Sequence, residues 1–236
     1  MGSGKKTSTT PFHSSKTASS ATVNFLALPL AVRDKIYKRV LFIPHPLYLF
    51  QEPGSRVECF GPDRPSQWLA LLYTNRQINR EASAALYGVN QFHLVDITEQ
   101  QVGLLQSFVD CIGPVNAASL SHLCINFPVA ESIHGQPGNF KLRDDSLQTL
   151  EILQDKCPNL STLDTLVHSE NCGVFKKTDD LLQEALSLID AHFKSISSLK
   201  RIIVRFEVFG GIPSASAKTF MQGLGWIVVS RDGNRR

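Results

Sequence analysis

His168 and Cys172 lie four residues apart, a spacing that would set two metal ligands on one face of a helix. No second pair completes a tetrahedral set, and Asn171-Cys172-Gly173 reads as a loop, so no zinc site is assigned. His122 and Cys124 share one face of a strand whose other face carries Leu123 and Ile125, which points to a packed or surface pair. Asp144-Asp145 and Asp179-Asp180 each precede a helical pattern, where carboxylates accept from free N–H groups and favour the helix dipole. Gly210-Gly211 and Gly223-Leu224-Gly225 lack both the motif and the Lys or acidic partner of a phosphate loop. A nucleophile elbow needs G-x-S-x-G, and that string does not occur. No catalytic, metal-binding or cofactor-binding residue follows from these patterns, and an enzyme is not expected.

Arg76, Arg80 and Glu81 form a denser group, set beside Asn75 and Gln77 just before the apolar run Ala82 to Tyr87. Two readings stand. Arg76 and Glu81 hydrogen-bond neighbouring turns and orient this helix on an earlier one, or the group faces a partner.

These residues need elements to hold them. Val32, Ile36, Tyr37, Val40 and Leu41 recur at helical spacing over Leu30 to Leu41, with Pro29 at the start where a missing N–H does no harm. Leu47 to Phe50 and Val57 to Phe60 flank Glu52-Pro53-Gly54-Ser55 and predict a hairpin or an extended loop. A second helix starts at Pro65-Ser66, carries Trp68, Leu69, Leu72 and Tyr73, breaks near Asn75, and stops at Gly88. Asn90 to Val95 reads as a strand. Thr98 and Gln101 predict a capping box for a helix with face Val102, Leu105, Val109 and Ile112, ended by Gly113-Pro114.

The second half repeats weakly. Leu120-Ser-His-Leu123-Cys-Ile125 is echoed at Leu160-Ser-Thr-Leu163-Asp-Thr165 and at Leu199-Lys-Arg-Ile202-Ile-Val204. Each segment alternates like a strand. Helical patterns fill the gaps, first Leu147, Leu150, Leu153 and Cys157, then Leu181, Ala185, Leu188 and His192. Strand, helix and strand in succession predict parallel pairing through right-handed crossovers, with helices over one face of a small sheet. The period exceeds that of ordinary leucine-rich repeats, so the units are leucine-rich-like by analogy. A last helix around Ala215 to Leu224 and a strand Trp226 to Val229 add one more unit.

With 42% hydrophobic and 19% charged residues, the chain has the composition of a folded protein, which excludes wholesale disorder and a long coiled coil. No run approaches about 18 apolar residues, so no membrane-spanning helix is expected. The net charge of +3 sits in the tails: Lys5, Lys6 and Lys16 precede Val23 with no acid, Arg231 to Arg236 add two more positive charges, and the intervening residues carry −2. Nucleic-acid binding by the folded body is therefore not expected. Residues 1–22 are rich in Ser, Thr and Lys and predict a disordered tail without the apolar core of a signal peptide. The five cysteines are scattered, never as C-x-x-C, which fits a reducing compartment, cytoplasmic or nuclear. The expected organisation is a tail over 1–22, a helical region over 23–95, an α/β region over 96–230 and a basic tail over 231–236, an α+β class overall.

One resemblance bears on function. Phe25-Leu-Ala-Leu28-Pro29-Leu-Ala-Val-Arg33-Asp-Lys-Ile36-Tyr37-Lys-Arg-Val40-Leu41 resembles the opening helix of fungal F-box-like proteins: an L-P pair, an Arg, then I-Y and an apolar pair. Leu69-Ala-Leu71-Leu72-Tyr-Thr-Asn-Arg76-Gln77-Ile78-Asn-Arg-Glu81-Ala82, continuing to Leu86-Tyr87-Gly-Val-Asn90-Gln-Phe92, is similar to the second half of that signature, as is Ile112-Gly113-Pro114-Val-Asn116 to a later segment. The family is poorly characterised. Unlike a compact F-box, Phe42 to Pro65 intervenes between the first helix and the rest. The resemblance implies a non-catalytic interaction module, a substrate receptor that docks on the Skp-type adaptor of a cullin-RING ubiquitin ligase while its C-terminal region captures a substrate protein. It implies Leu28, Pro29, Ile36 and Leu41 as the adaptor-facing anchors. The alternative is a self-contained scaffold or binding domain in which the same helices form the core.

Overall fold

Residues 24–62, 65–96, 100–133, 139–207 and 213–230 are described by a computed structural model. The segment 1–22, Thr98 of the expected capping box, Gly210-Gly211 and the segment 231–236 lie outside them.

The first helix, α1, spans Leu30–Leu41, the bounds that its periodicity predicts. The expected hairpin forms as β1, Leu47–Phe50, paired antiparallel to β2, Glu58–Phe60. A 3-10 turn at Ala70–Tyr73 precedes α2, Arg76–Val89. The break between them falls at Asn75, as predicted. Its extended backbone lets the side-chain Oδ1 accept from the Ile78 N–H at 3.0 Å, so the interruption is an N-cap.

Next come β3, Gln91–Leu94, and α3, Gln101–Ile112, which ends on Gly113 at φ 77°, a conformation that glycine adopts without strain. The expected role of Gln101 in a capping box is not what the side chain does. Its Oε1 accepts from the Asn126 N–H at 2.6 Å and ties the start of α3 to a strand end. The short α4, Pro114–Ala117, leads into β4, His122–Asn126. A small hairpin, β5 (Ala130–Ser132) with β6 (Phe140–Leu142), is an addition that the repeat pattern does not predict. There follow α5, Asp144–Lys156; β7, Thr162–Val167; α6, Asp179–Ser195; β8, Arg201–Phe206; α7, Ala215–Gly223; and β9, Ile227–Ser230.

The main sheet has the order β2-β1-β3-β4-β7-β8-β9 and is parallel throughout except for the β1–β2 pair. With the small antiparallel sheet and seven helices among the described residues, the fold is α+β. The repeat fixes the register. Leu123 pairs with Leu163 and Leu163 with Ile202, the fourth positions of the three echoed segments.

The residues of the seven-stranded sheet in the main apolar cluster, among them Leu47, Phe92, Leu123, Ile125, Leu163 and Val204, lie on one face, together with the inward residues of α3, α5, α6 and α7. α3 packs on α5, α5 on α6 and α6 on α7, one layer on one face. The parallel strands β1, β3, β4, β7, β8 and β9 follow in chain order across the sheet, while β2 folds back to the outer edge of β1. The sheet also runs across the boundary expected between 95 and 96: β1 and β3 belong to it, and Ile43, Leu47, Phe92 and Leu94 enter the common core. Only α1 and α2 make a separate cluster, of Tyr37, Leu41, Ile78, Ala82, Ala85 and Leu86. No helix among the described residues is long and apolar enough to cross a membrane.

Candidate interaction surface on the first helix

Arg33, Tyr37 and Leu41 recur every four residues and form the line of α1 that faces α2. A charge on this line needs a partner. Arg33 grips Glu81 of α2 with two donors, Nε to Oε2 at 2.8 Å and Nη2 to Oε1 at 2.7 Å, while both side chains are about nine-tenths buried. Tyr37 donates to Glu81 Oε2 at 3.1 Å, and Gln77 Nε2 donates to Oε1 at 3.0 Å. Arg33 Nη1 closes the preceding turn by donating to the carbonyls of Leu26 and Leu28. Of the two readings of the Arg76 group, Glu81 takes the orienting one. Arg76 and Arg80 lie exposed.

The hydrogen bonds from Arg33 hold the Glu81 carboxyl far below its ordinary value, at about 2. A folded-state value lower than the unfolded one means that the stability from this pair is complete above the ordinary carboxylate range and is lost as pH falls through it toward 2. The urea midpoint of Glu81→Gln is therefore expected to lie below that of the wild type at pH 6, with the gap closing between pH 5 and pH 2. A gap independent of pH would refute this role.

Beside the buried line runs another. Pro29 is exposed, and Val32, Ile36 and Val40, again four residues apart, keep 42%, 36% and 47% of their surface in solvent. Leu30 and Phe42 are also exposed, so five of the eleven exposed large apolar residues among the described residues lie on α1 or at its end. That density exceeds the scattered apolar residues of an ordinary surface. Of the four anchors that the resemblance implies, Pro29 and Ile36 belong to this open stripe and Leu28 is half-buried. Leu41 is wholly buried in the α1–α2 cluster and is not available to a partner. The sequence reading missed Val32 and Val40 as partner-facing residues, although both sit four residues from Ile36.

The other groups that could do chemistry are placed differently. His93, Cys124, Asp164 and Ile203 stand side by side in register on the sheet face away from the helices. Asp164 is fully buried. Arg205 Nε reaches both its oxygens at 2.8 Å, and Gln91 Nε2 donates at 3.4 Å. His122 Nε2 stops 3.9 Å from Asp164 Oδ2, and the Nε2 atoms of His93 and His122 are buried without a partner. Burial holds the His93 imidazole down at about 4 and pushes the Cys124 thiol well above its ordinary value. A neutral imidazole beside a protonated thiol, with no hydrogen bond joining them, is not an activated nucleophile. Asp164, Arg205 and His93 escaped the sequence reading, yet the repeat aligns Cys124 with Asp164 and Ile203 and so contained this row.

His168 and Cys172 flank a tight turn, and where a loop is expected Cys172 opens a 3-10 helix, Cys172–Lys176. The His168 N–H donates to Asn171 Oδ1 at 2.7 Å, and the Cys172 thiol donates to the Ser169 carbonyl at 3.2 Å. No group of three His, Cys, Asp or Glu among the described residues could hold a metal ion. Asp145 accepts from the Ser146 N–H at 2.6 Å and pairs with Arg143, so it serves the first turn of α5. A shallow cleft of about 390 Å³ between α3 and α5 has its Asp110 and Lys156 walls joined by an ion pair.

Together these features define an α+β protein with a one-sided, mostly parallel sheet and a separate helical pair that leaves an apolar stripe open. In comparisons with protein-family models, curated proteins and solved structures, nothing matches the chain.

Proposed function

We propose that this chain is a non-catalytic protein-interaction module of the cytoplasm or nucleus that docks on the Skp-type adaptor of a cullin-RING ubiquitin ligase through α1, leaving its strand-helix region to hold a substrate protein. The observation that carries this reading is the stripe Pro29, Val32, Ile36 and Val40, left open on a helix whose orientation is otherwise fixed by Arg33 and Glu81. Covering the surface that these side chains still expose supplies about 1 to 2 kcal/mol each. The resemblance of the Phe25-to-Leu41 segment to an F-box opening helix names the partner.

A purified Skp-type adaptor titrated with the full chain tests it. Binding is expected, and Val32→Asp with Ile36→Asp together should weaken it about a hundredfold or more. A folded wild-type chain that shows no binding ends the proposal. Complete burial of Leu41 favours a second reading, the self-contained scaffold, in which α1 and α2 serve only as core. In that case the double variant leaves adaptor binding absent in both forms.

A further inference from the structure

The charged residues of α1 divide by partner. Arg33 is committed to Glu81, and Lys38 Nζ pairs with Asp34 at 2.7 Å. Lys35 and Arg39 are exposed, four residues apart, and have no ion-pair partner among the described residues. At about 100° per residue, Arg39 projects about 20° and Lys35 about 60° from Val32, on the side away from Tyr37. The apolar stripe is therefore bounded by the α1–α2 core along one edge and by two unpaired cations along the other.

We infer that the partner on this stripe is a protein whose apolar groove carries carboxylates along one rim, facing Lys35 and Arg39. The inference rests on the docking reading above and specifies the chemistry of its partner. A second copy of this chain does not fit. Its densest acidic runs lie on α5 (Asp144, Asp145, Glu151, Asp155) and α6 (Asp179, Asp180, Glu184), where no large apolar residue is exposed among those described, and the exposed pairs Glu58 with Phe60 and Glu131 with Ile133 each set one acid beside a single apolar side chain. The two helices offer charge without a surface to cover Val32, Ile36 and Val40. The occupant must supply both.

Rim charges act mainly on the encounter, so they set the association rate and its salt dependence more than the lifetime of the complex. Stopped-flow association of the full chain with purified Skp-type adaptor, from about 50 mM to about 500 mM salt where screening shortens to a few ångströms, reads this directly. The wild type should associate about tenfold more slowly at the high end. Lys35→Glu with Arg39→Glu should slow association about tenfold at the low end and flatten or invert the salt dependence, with little change in dissociation. Lys200→Glu with Lys218→Glu, the same charge change at exposed positions outside α1, should behave as wild type. Binding that the rim reversal leaves unchanged, or that both reversals slow equally, overturns the acidic rim and leaves docking intact. Absence of any binding overturns both. Self-association in sedimentation that Ile36→Asp abolishes overturns the choice of occupant.

Discussion

Asn90→Ala is expected to destabilise the protein by about 3 to 5 kcal/mol, a large share of the roughly 5 to 15 kcal/mol that holds a typical domain folded. Asn90 is completely buried and follows the last residue of α2. Its Oδ1 accepts from the Ile43 N–H at 2.8 Å, and its Nδ2 donates at 2.9 Å to the carbonyls of both Leu41 and Leu86. Those two carbonyls sit in the last turns of α1 and α2, where the helix itself provides no donor. One amide thus ends two helices and pins the chain that leaves α1 toward β1. Alanine would strand a donor and two acceptors away from water, each at about 1 to 3 kcal/mol, with partial relief if water enters. Urea denaturation followed by circular dichroism measures the loss, and a shift below about 1 kcal/mol would show that these bonds are replaceable.

The fold was legible where the sequence repeats itself. Leu120, Leu160 and Leu199 head three strands that pair in the register of their own alignment, because a period-2 pattern with a buried face admits no one-residue slip. Elsewhere the signal was too short or too distant. The β5 and β6 strands have three residues each, too few to show alternation, and the parallel pairing of β1 with β3 is a long-range choice that Leu47 to Phe50 does not announce. The candidate site was half legible. Helical spacing gives α1, but its apolar arc from Val32 round to Leu41 spans about 180° at 100° per residue, more than one neighbouring helix covers. Which half is covered depends on Glu81, 48 residues beyond Arg33. Arginine is rarely buried unless it is paired, so Arg33 does not by itself mark the line of Tyr37 and Leu41 as the covered one. A bidentate carboxylate made it the buried one.

Aspartate at position 41 and at position 36 should therefore have opposite consequences, although both residues lie on one short helix. Leu41 has no exposed surface and packs within the α1–α2 cluster. Removing its side chain alone forfeits about 2 to 5 kcal/mol, and a carboxylate with no donor in that space adds its own desolvation, so Leu41→Asp should destabilise by about 5 kcal/mol or more. Ile36 keeps 36% of its surface in solvent. There the carboxylate stays hydrated, the lower helix propensity of Asp costs only a few tenths of a kcal/mol, and Arg39 one turn on gives a weak compensating attraction, so Ile36→Asp should stay within about 1 kcal/mol of wild type. Urea midpoints of the two variants, measured side by side, decide the matter. Equal destabilisation would mean that Ile36 is as deeply engaged by the chain's own packing as Leu41, and α1 would then have no free face with which to meet a partner.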